Sequence, residues 1–298
     1  MLDCACGPRA GGRTIEQIQP PQPSGYALGH AEDELDRIIN HARFFGDLTE
    51  HVLHLAGLAP GMRVLDVGCG PGDVSFLAAR LVGPEGTVIG VDKSLEAIEL
   101  ARQRAAAIRH TNVHFLTQDL SDSELVLDEA VDALIGRLVL QYFADPTLLL
   151  RHLLTCVKPG GLVAFQEVGV KDEVYSEPVC QVYETALQRI AQTFTRIGAE
   201  ARAGHRLAQI FQEAGLPTPQ MILHARVERG PDSPIYHLVA QLTRVMLPLM
   251  QRTGVASAEE VGVETLAERM RAEALALDAT LVYPALIGAW TRTPLIKQ

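Results

Sequence analysis

The sequence predicts an α/β fold in which helices cover both faces of a doubly wound, mostly parallel sheet, and three observations predict it. Seven short apolar segments have strand length and composition: residues 64–67, 87–91, 113–116, 131–136, 162–167, 221–227 and 285–293. Helical periodicity fills three of the four intervals between the first five, which is close to the alternation a parallel sheet needs. Between the first strand and its helix lies Val64-Leu65-Asp66-Val67-Gly68-Cys69-Gly70-Pro71-Gly72-Asp73, a turn with three alternating glycines. Glycine accepts positive φ and lets a ligand approach the main chain.

The elements follow in order. Residues 30–57 read as helical, because Leu35, Ile38, Ile39, Ala42 and Phe45 recur at helical spacing, followed by Leu48, Val52 and Leu55 before Gly57 and Pro60. A helix over 73–81 covers the glycine turn and ends at Gly83-Pro84-Glu85-Gly86. Ser94 is a good N-cap for the next helix, with Glu96 and Glu99 near its positive end and Arg102 and Arg104 further along. Residues 146–156 form the helix before the fifth strand. Beyond Val168 the pattern changes to helices over 179–197 and 204–214, then to Val263, Leu266, Ala267, Met270 and Ala274 at helical spacing. Residues 170–203 and 231–280 are therefore read as helical insertions above the strand tips.

The strand tips carry the chemistry. Gly68, Gly70 and Gly72 depart from the Gly-x-Gly-x-x-Gly of dinucleotide sites and follow an acid, Asp66. Asp92, with Lys93 after it, ends the second strand 20 positions beyond Gly72, where a carboxylate accepts hydrogen bonds from ribose hydroxyls. Gln118, Asp119 and Leu120 follow the third strand and place an acceptor against an exocyclic amine such as that of adenine. Among candidate bases, Glu167 at the tip of the fifth strand stands ahead of Tyr142, Gln141, His30 and His205, because a carboxylate in a water-poor cleft has a raised pKa. A structural hydrogen-bonding role is the alternative for Glu167, and a small packing residue is the preferred reading of Cys69.

The stretch from Val64 to Gly72 resembles the first motif of class I S-adenosylmethionine-dependent methyltransferases. Val131 to Leu140 resembles their fourth strand and its tip, and the segment from Leu153 to Val163, with Lys158-Pro159-Gly160-Gly161, resembles the run into their fifth strand. The nearest likeness is to bacterial small-molecule methyltransferases of the ubiquinone and menaquinone type. The resemblance implies a Rossmann-like domain over 26–298, with an N-terminal helical cover at 26–57, a cofactor-binding core at 62–168 and a substrate cap in the two insertions. Extra packing or a homodimer surface is the alternative for those insertions. It further implies that S-adenosylmethionine is the cofactor. The glycines would admit its methionine portion, Asp66 would orient the ammonium directly or through water, and the Arg137 backbone would line the methionine side. Tyr26 and His41, from Tyr26-x-Leu28-Gly29 and the Arg37 to His41 stretch, would fold over the cofactor, although the family pattern has Gln where this chain has His41. In-line methyl transfer from a sulfonium to a small metabolite needs chiefly alignment and desolvation. A nucleoside-binding regulator, or a non-methylating enzyme that keeps the cofactor site, is the rival.

Composition narrows the partners. Side chains number 26 basic against 36 acidic, a formal charge of −10 with no basic run, which disfavours nucleic acid. Five scattered cysteines indicate a reducing compartment and no metal pattern, so the expected location is the cytoplasm. Residues 1–25, rich in Gly, Pro, Gln and Arg, read as a flexible tail without a signal-peptide core. The apolar run at 238–250 is interrupted by Gln241, Arg244 and Pro248 and does not span a bilayer.

Overall fold

The computed structural model describes residues 32–121, 125–169, 175–199 and 202–295. The tail over 1–25 and Tyr26 lie outside the described residues. Helix α1 (Glu32–Ala56) leads into β1 (Arg63–Val67), α2 (Asp73–Val82), β2 (Thr87–Asp92), α3 (Leu95–Ala107), β3 (Val113–Thr117) and β4 (Val131–Arg137). A short 3-10 turn at Leu140–Tyr142 precedes α4 (Pro146–Leu154) and β5 (Val157–Val168). There follow β6 (Ser176–Glu177), α5 (Gln181–Arg196), α6 (Ala203–Glu213), β7 (Gln220–His224), β8 (Val227–Arg229), α7 (Ile235–Arg252), α8 (Ala258–Val261), α9 (Leu266–Ala276), β9 (Thr280–Val282) and β10 (Leu286–Arg292).

The main sheet has seven strands in the order β3-β2-β1-β4-β5-β10-β7. The first five are parallel, and β10 runs antiparallel to both β5 and β7. The chain winds one way from β1 through β2 to β3 and the other way from β4 to β5. A crevice therefore opens at the carboxyl ends of β1 and β4, where ligands bind in sheets of this kind. Register aligns the tips: Val67 pairs with Val91 and Gly136, and Asp92 pairs with Thr117.

Local chemistry accounts for the helix starts. Ser94 caps α3 by accepting the Ala97 N–H at 3.1 Å, and Asp145 caps α4 by accepting the Leu148 N–H at 2.8 Å, with Pro146 at the first helical position. One face of the sheet buries Val64, Val88, Ala133 and Ile135 beneath α1 and α2. The other buries Leu65, Val67, Leu134 and Phe165 against α4 and α6.

The insertions hold a correction. They were expected to be helical, yet β6 of the first insertion pairs with β9 at the end of the second, and β9 pairs with β8 just before that second insertion, in a second, three-stranded antiparallel sheet. The single strand expected over 221–227 is divided between the two sheets. At the break, Arg226 donates to the Phe44 carbonyl at 3.0 Å and pairs with Asp47, tying the crossing to α1. The insertions share a core with α1: Tyr183, Ile235, Met246 and Met270 pack in one cluster with Phe45. Glu273 of α9 accepts the N–H groups of Gln181 and Val182, capping α5 from the other insertion. Among the described residues, no helix is long and apolar enough to cross a membrane.

Candidate functional site

The glycine turn folds back over the tip of β2. Gly68 and Cys69 donate their N–H groups to the Val91 carbonyl at 2.8 and 3.1 Å, and Gly70 donates to Asp92 Oδ2 at 2.9 Å. From α3, Arg104 clamps the far side, donating to the Pro71 carbonyl at 2.6 Å and pairing through both nitrogens with Asp73. The three glycines have positive φ, at 65°, 52° and 90°, but different surroundings. A Cβ on Gly68 would lie 2.4 Å from Val139 Cγ2, and one on Gly72 would lie 2.9 Å from the Phe115 and Phe76 rings. A Cβ on Gly70 would meet nothing nearer than Ile38 Cγ2 at 3.9 Å. Of the three, Gly70 faces open space, and that space is the cleft.

The strand-tip cleft, about 170 Å³, is lined by Gly68, Gly70, Asp92, Lys93, Gln118, Asp119, Leu120, Arg137 and His41, nine of the positions singled out in the sequence. Asp92 is anchored by two backbone donors, Gly70 on Oδ2 and Ser94 on Oδ1 at 2.9 Å, so each oxygen keeps an acceptor site for a ligand hydroxyl. Arg137 donates to Thr49 Oγ1 at 3.1 Å, and Thr49 donates to Gln166 at 2.8 Å, so the guanidinium at the end of β4 is fixed to α1 and β5.

Three expected positions stand elsewhere. Gly72 is absent from the cleft wall and starts α2 in a left-handed conformation beneath two phenylalanines. Asp66 is buried and accepts the Ser75 hydroxyl at 2.6 Å; it points into the β1–α2 interface, where burial pushes its carboxyl up to about 7. Glu167, the expected base, is fully buried and lines neither cavity. Its Oε1 accepts the N–H groups of Val139 and Leu140 at 2.9 and 2.8 Å. Burial raises this carboxyl to about 7 against those backbone donors. Glu167 thus holds the turn after β4, in which Leu138 takes a positive φ of 55°.

Arg37, read in the cofactor-covering stretch, and Tyr142, read as a candidate base, also line the cleft, whereas sequence reasoning gave no site role to Ile38, Asp73, Leu138, Val139 and Phe143, which line it too. That reasoning also missed a larger cavity of about 790 Å³ between the insertions and the main sheet. Its walls include Leu187, Ile190, Phe194 and Leu242, with Gln141, Gln188 and Gln192 as polar points. Arg37, His41, Leu138 and Tyr142 line both spaces, so the two adjoin.

Residues 58–215, more than half of the chain, match the family model described as a methyltransferase domain. The chain belongs to this methyltransferase-domain family. Arsenite methyltransferase of Halobacterium salinarum is 38% identical over 113 residues, covering 38% of this chain and 29% of that protein. Demethylmenaquinone methyltransferase of Listeria monocytogenes is 25% identical over 187 residues, covering 59% and 78%. The match spans less than half the length of the first curated relatives. A crystal structure described as a putative methyltransferase from Bacillus halodurans superposes with a TM-score of 0.53 at 14% identity, covering 83% of this chain and 98% of that one, a likeness of fold.

Proposed function

We propose that this member of the methyltransferase-domain family is an S-adenosylmethionine-dependent enzyme that methylates a small molecule bound in the larger cavity. The observation that carries the reading is the junction of two spaces. A glycine-floored cleft at the carboxyl ends of β1, β2, β3 and β4 shares the wall of Arg37, His41, Leu138 and Tyr142 with a roomier, largely apolar cavity.

The residues present fit the cofactor. Gly70 leaves free the space that a side chain would fill, and Asp92 offers acceptor positions to ribose hydroxyls. Asp119 and Leu120 line the cleft and would face adenine, and Arg137 lines it and would face the methionine portion. When bound there, S-adenosylmethionine supplies a methyl group already activated by its sulfonium. The chain supplies alignment and exclusion of water, with the two insertions acting as the cap over the acceptor.

The test is incubation of the purified protein with methyl-labelled S-adenosylmethionine and a metabolite extract. The expected result is S-adenosylhomocysteine formation together with a labelled product identified by mass spectrometry. Tight cofactor binding without turnover on any extract would overturn methyl transfer in favour of a nucleoside-binding regulator.

A further inference from the structure

His41 stands at the boundary between the two spaces and is one of four residues that line both. Its ring packs at 4.8 Å from that of Phe45 and 5.8 Å from that of Tyr283, which fixes its plane. Its imidazole makes no hydrogen bond to another described residue. An imidazole held by ring packing, with its nitrogens unengaged by the described residues and facing a cavity junction, is placed to take a proton from a bound molecule.

We propose that His41 is the catalytic base of the methyl transfer, and that the acceptor is a hydroxyl carried on a largely apolar ring system. The inference rests on the methyltransferase reading above and deepens it.

The other candidates facing this junction are excluded by their own settings. Arg37, on the same helix, and Arg137, at the tip of β4, are cations. Tyr283 is buried and its hydroxyl pushed up to about 12, so it stays protonated. Glu184, in the wall of the larger cavity, already accepts the Tyr175 N–H at 2.8 Å and the Ser176 hydroxyl at 2.6 Å. Tyr142, on the turn after β4, is a phenol. His41 itself is held well below its ordinary value of 6.5, by burial first and then by Arg37 and Arg137. The imidazole is therefore neutral at pH 7 and able to accept.

The same two arginines choose the acceptor class. A protonated amine brought beside two guanidiniums is opposed by like charge, whereas an oxygen that is losing its proton is favoured there. The walls of Leu187, Ile190, Phe194 and Leu242 suit a ring system. In the step, the hydroxyl oxygen bonds to the methyl carbon as the carbon–sulfur pair returns to sulfur, and the O–H bond breaks with its proton passing to the imidazole. The products are an ether, a neutral thioether and imidazolium, which gives its proton to water.

The experiment uses two probes, 1-naphthol and the more acidic 4-nitro-1-naphthol, with wild type, His41→Gln and His41→Asn. With 1-naphthol, kcat should fall about 100-fold in both variants while the S-adenosylmethionine Kd, measured by calorimetry, changes less than about threefold. At a pH where 4-nitro-1-naphthol is already ionised the deficit should shrink below about fivefold, because no proton remains to be removed. A second readout needs no turnover: 1-naphthol added to the cofactor-free protein should shift an imidazole resonance that is missing from both variants. Equal kcat in wild type and both variants overturns His41 as base. Wild type that binds S-adenosylmethionine but neither methylates 1-naphthol nor shows the shift overturns the hydroxyl acceptor. Failure to bind S-adenosylmethionine at all overturns the underlying methyltransferase reading instead.

Discussion

Two spaces share the wall of Arg37, His41, Leu138 and Tyr142, and the chain builds them in opposite ways. The strand-tip cleft is made of backbone turns and short polar side chains, each delivered by the strand just before it. Its floor is held by bonds such as Gly70 N–H to Asp92, only 22 positions apart. The larger cavity is walled by side chains from segments far apart in sequence, including α5, α7 and the link before β10. These are brought together by contacts such as the Tyr183 hydroxyl on the Val282 carbonyl, 99 positions away. A site of the first kind depends on a few residues that cannot be replaced, and one of the second kind tolerates changes that preserve volume.

The sharpest way to break this comparison is inside the glycine turn itself. Gly68→Ala puts a Cβ 2.4 Å from Val139 Cγ2 at a φ of 65° and should cost about 2–4 kcal/mol in urea unfolding. Gly70→Ala, with open space around its Cβ, should cost only about 1 kcal/mol through its backbone angle while weakening S-adenosylmethionine binding. Similar stability losses in the two variants would mean that Gly70 is a packing glycine as well.

A pH effect of similar size belongs to the buried acids behind the cleft. Asp66 and Glu167 are each held up at about 7, whereas the unfolded chain ionises such groups near 4. A carboxyl whose folded value is raised contributes stability that is complete below the unfolded value and is lost as pH rises through the folded one. Unfolding free energy should therefore decline between about pH 4 and 7, by at most about 4 kcal/mol per group. Glu167→Gln keeps an oxygen for the Val139 and Leu140 N–H groups and removes the ionisation, so its urea midpoints at pH 5 and 8 should lie closer together than those of wild type. An unchanged gap between the midpoints would locate the pH dependence elsewhere.

These acids also mark how far the sequence was legible. Gly68, Gly70, Asp92, Asp119 and Arg137 were readable because a strand end, a turn and a spacing together fix where their backbone lies. Asp66 was placed on the ligand because it stands beside the glycines, but side chains alternate along a strand, and this one points toward Ser75 on α2. Glu167 was read from its strand-tip position as a base, with a structural hydrogen-bonding role as the alternative, and the alternative is the role the geometry shows. What it serves is the turn from Leu138 to Leu140, and nothing local in the sequence announces that a non-glycine takes a positive φ there. The small sheet escaped notice because β6, β8 and β9 are only two or three residues long and pair across distant segments, too short for any period to register.

A smaller effect tests the polar half of the cleft. Asp92→Ala should weaken S-adenosylmethionine binding by about 1–3 kcal/mol, since it removes a charged acceptor and frees the Gly70 and Ser94 N–H groups. Unchanged affinity by calorimetry in a folded variant would take Asp92 out of the site.

The smallest expected effect on the cleft comes from the opposite side of the shared wall. Ala191 on α5 lines the larger cavity and not the strand-tip cleft. Ala191→Trp should fill part of that space, and because the cavity is wide enough to take the ring, the fold should hold. If the two spaces divide cofactor from acceptor, the S-adenosylmethionine Kd should change less than about twofold, on the order of 0.4 kcal/mol. Methylation should then suffer chiefly as a raised KM for the acceptor, since the ring excludes substrate and leaves the cofactor aligned. Parallel losses of cofactor affinity and turnover would show that the cavities act as one site, and the division argued from their construction would fail.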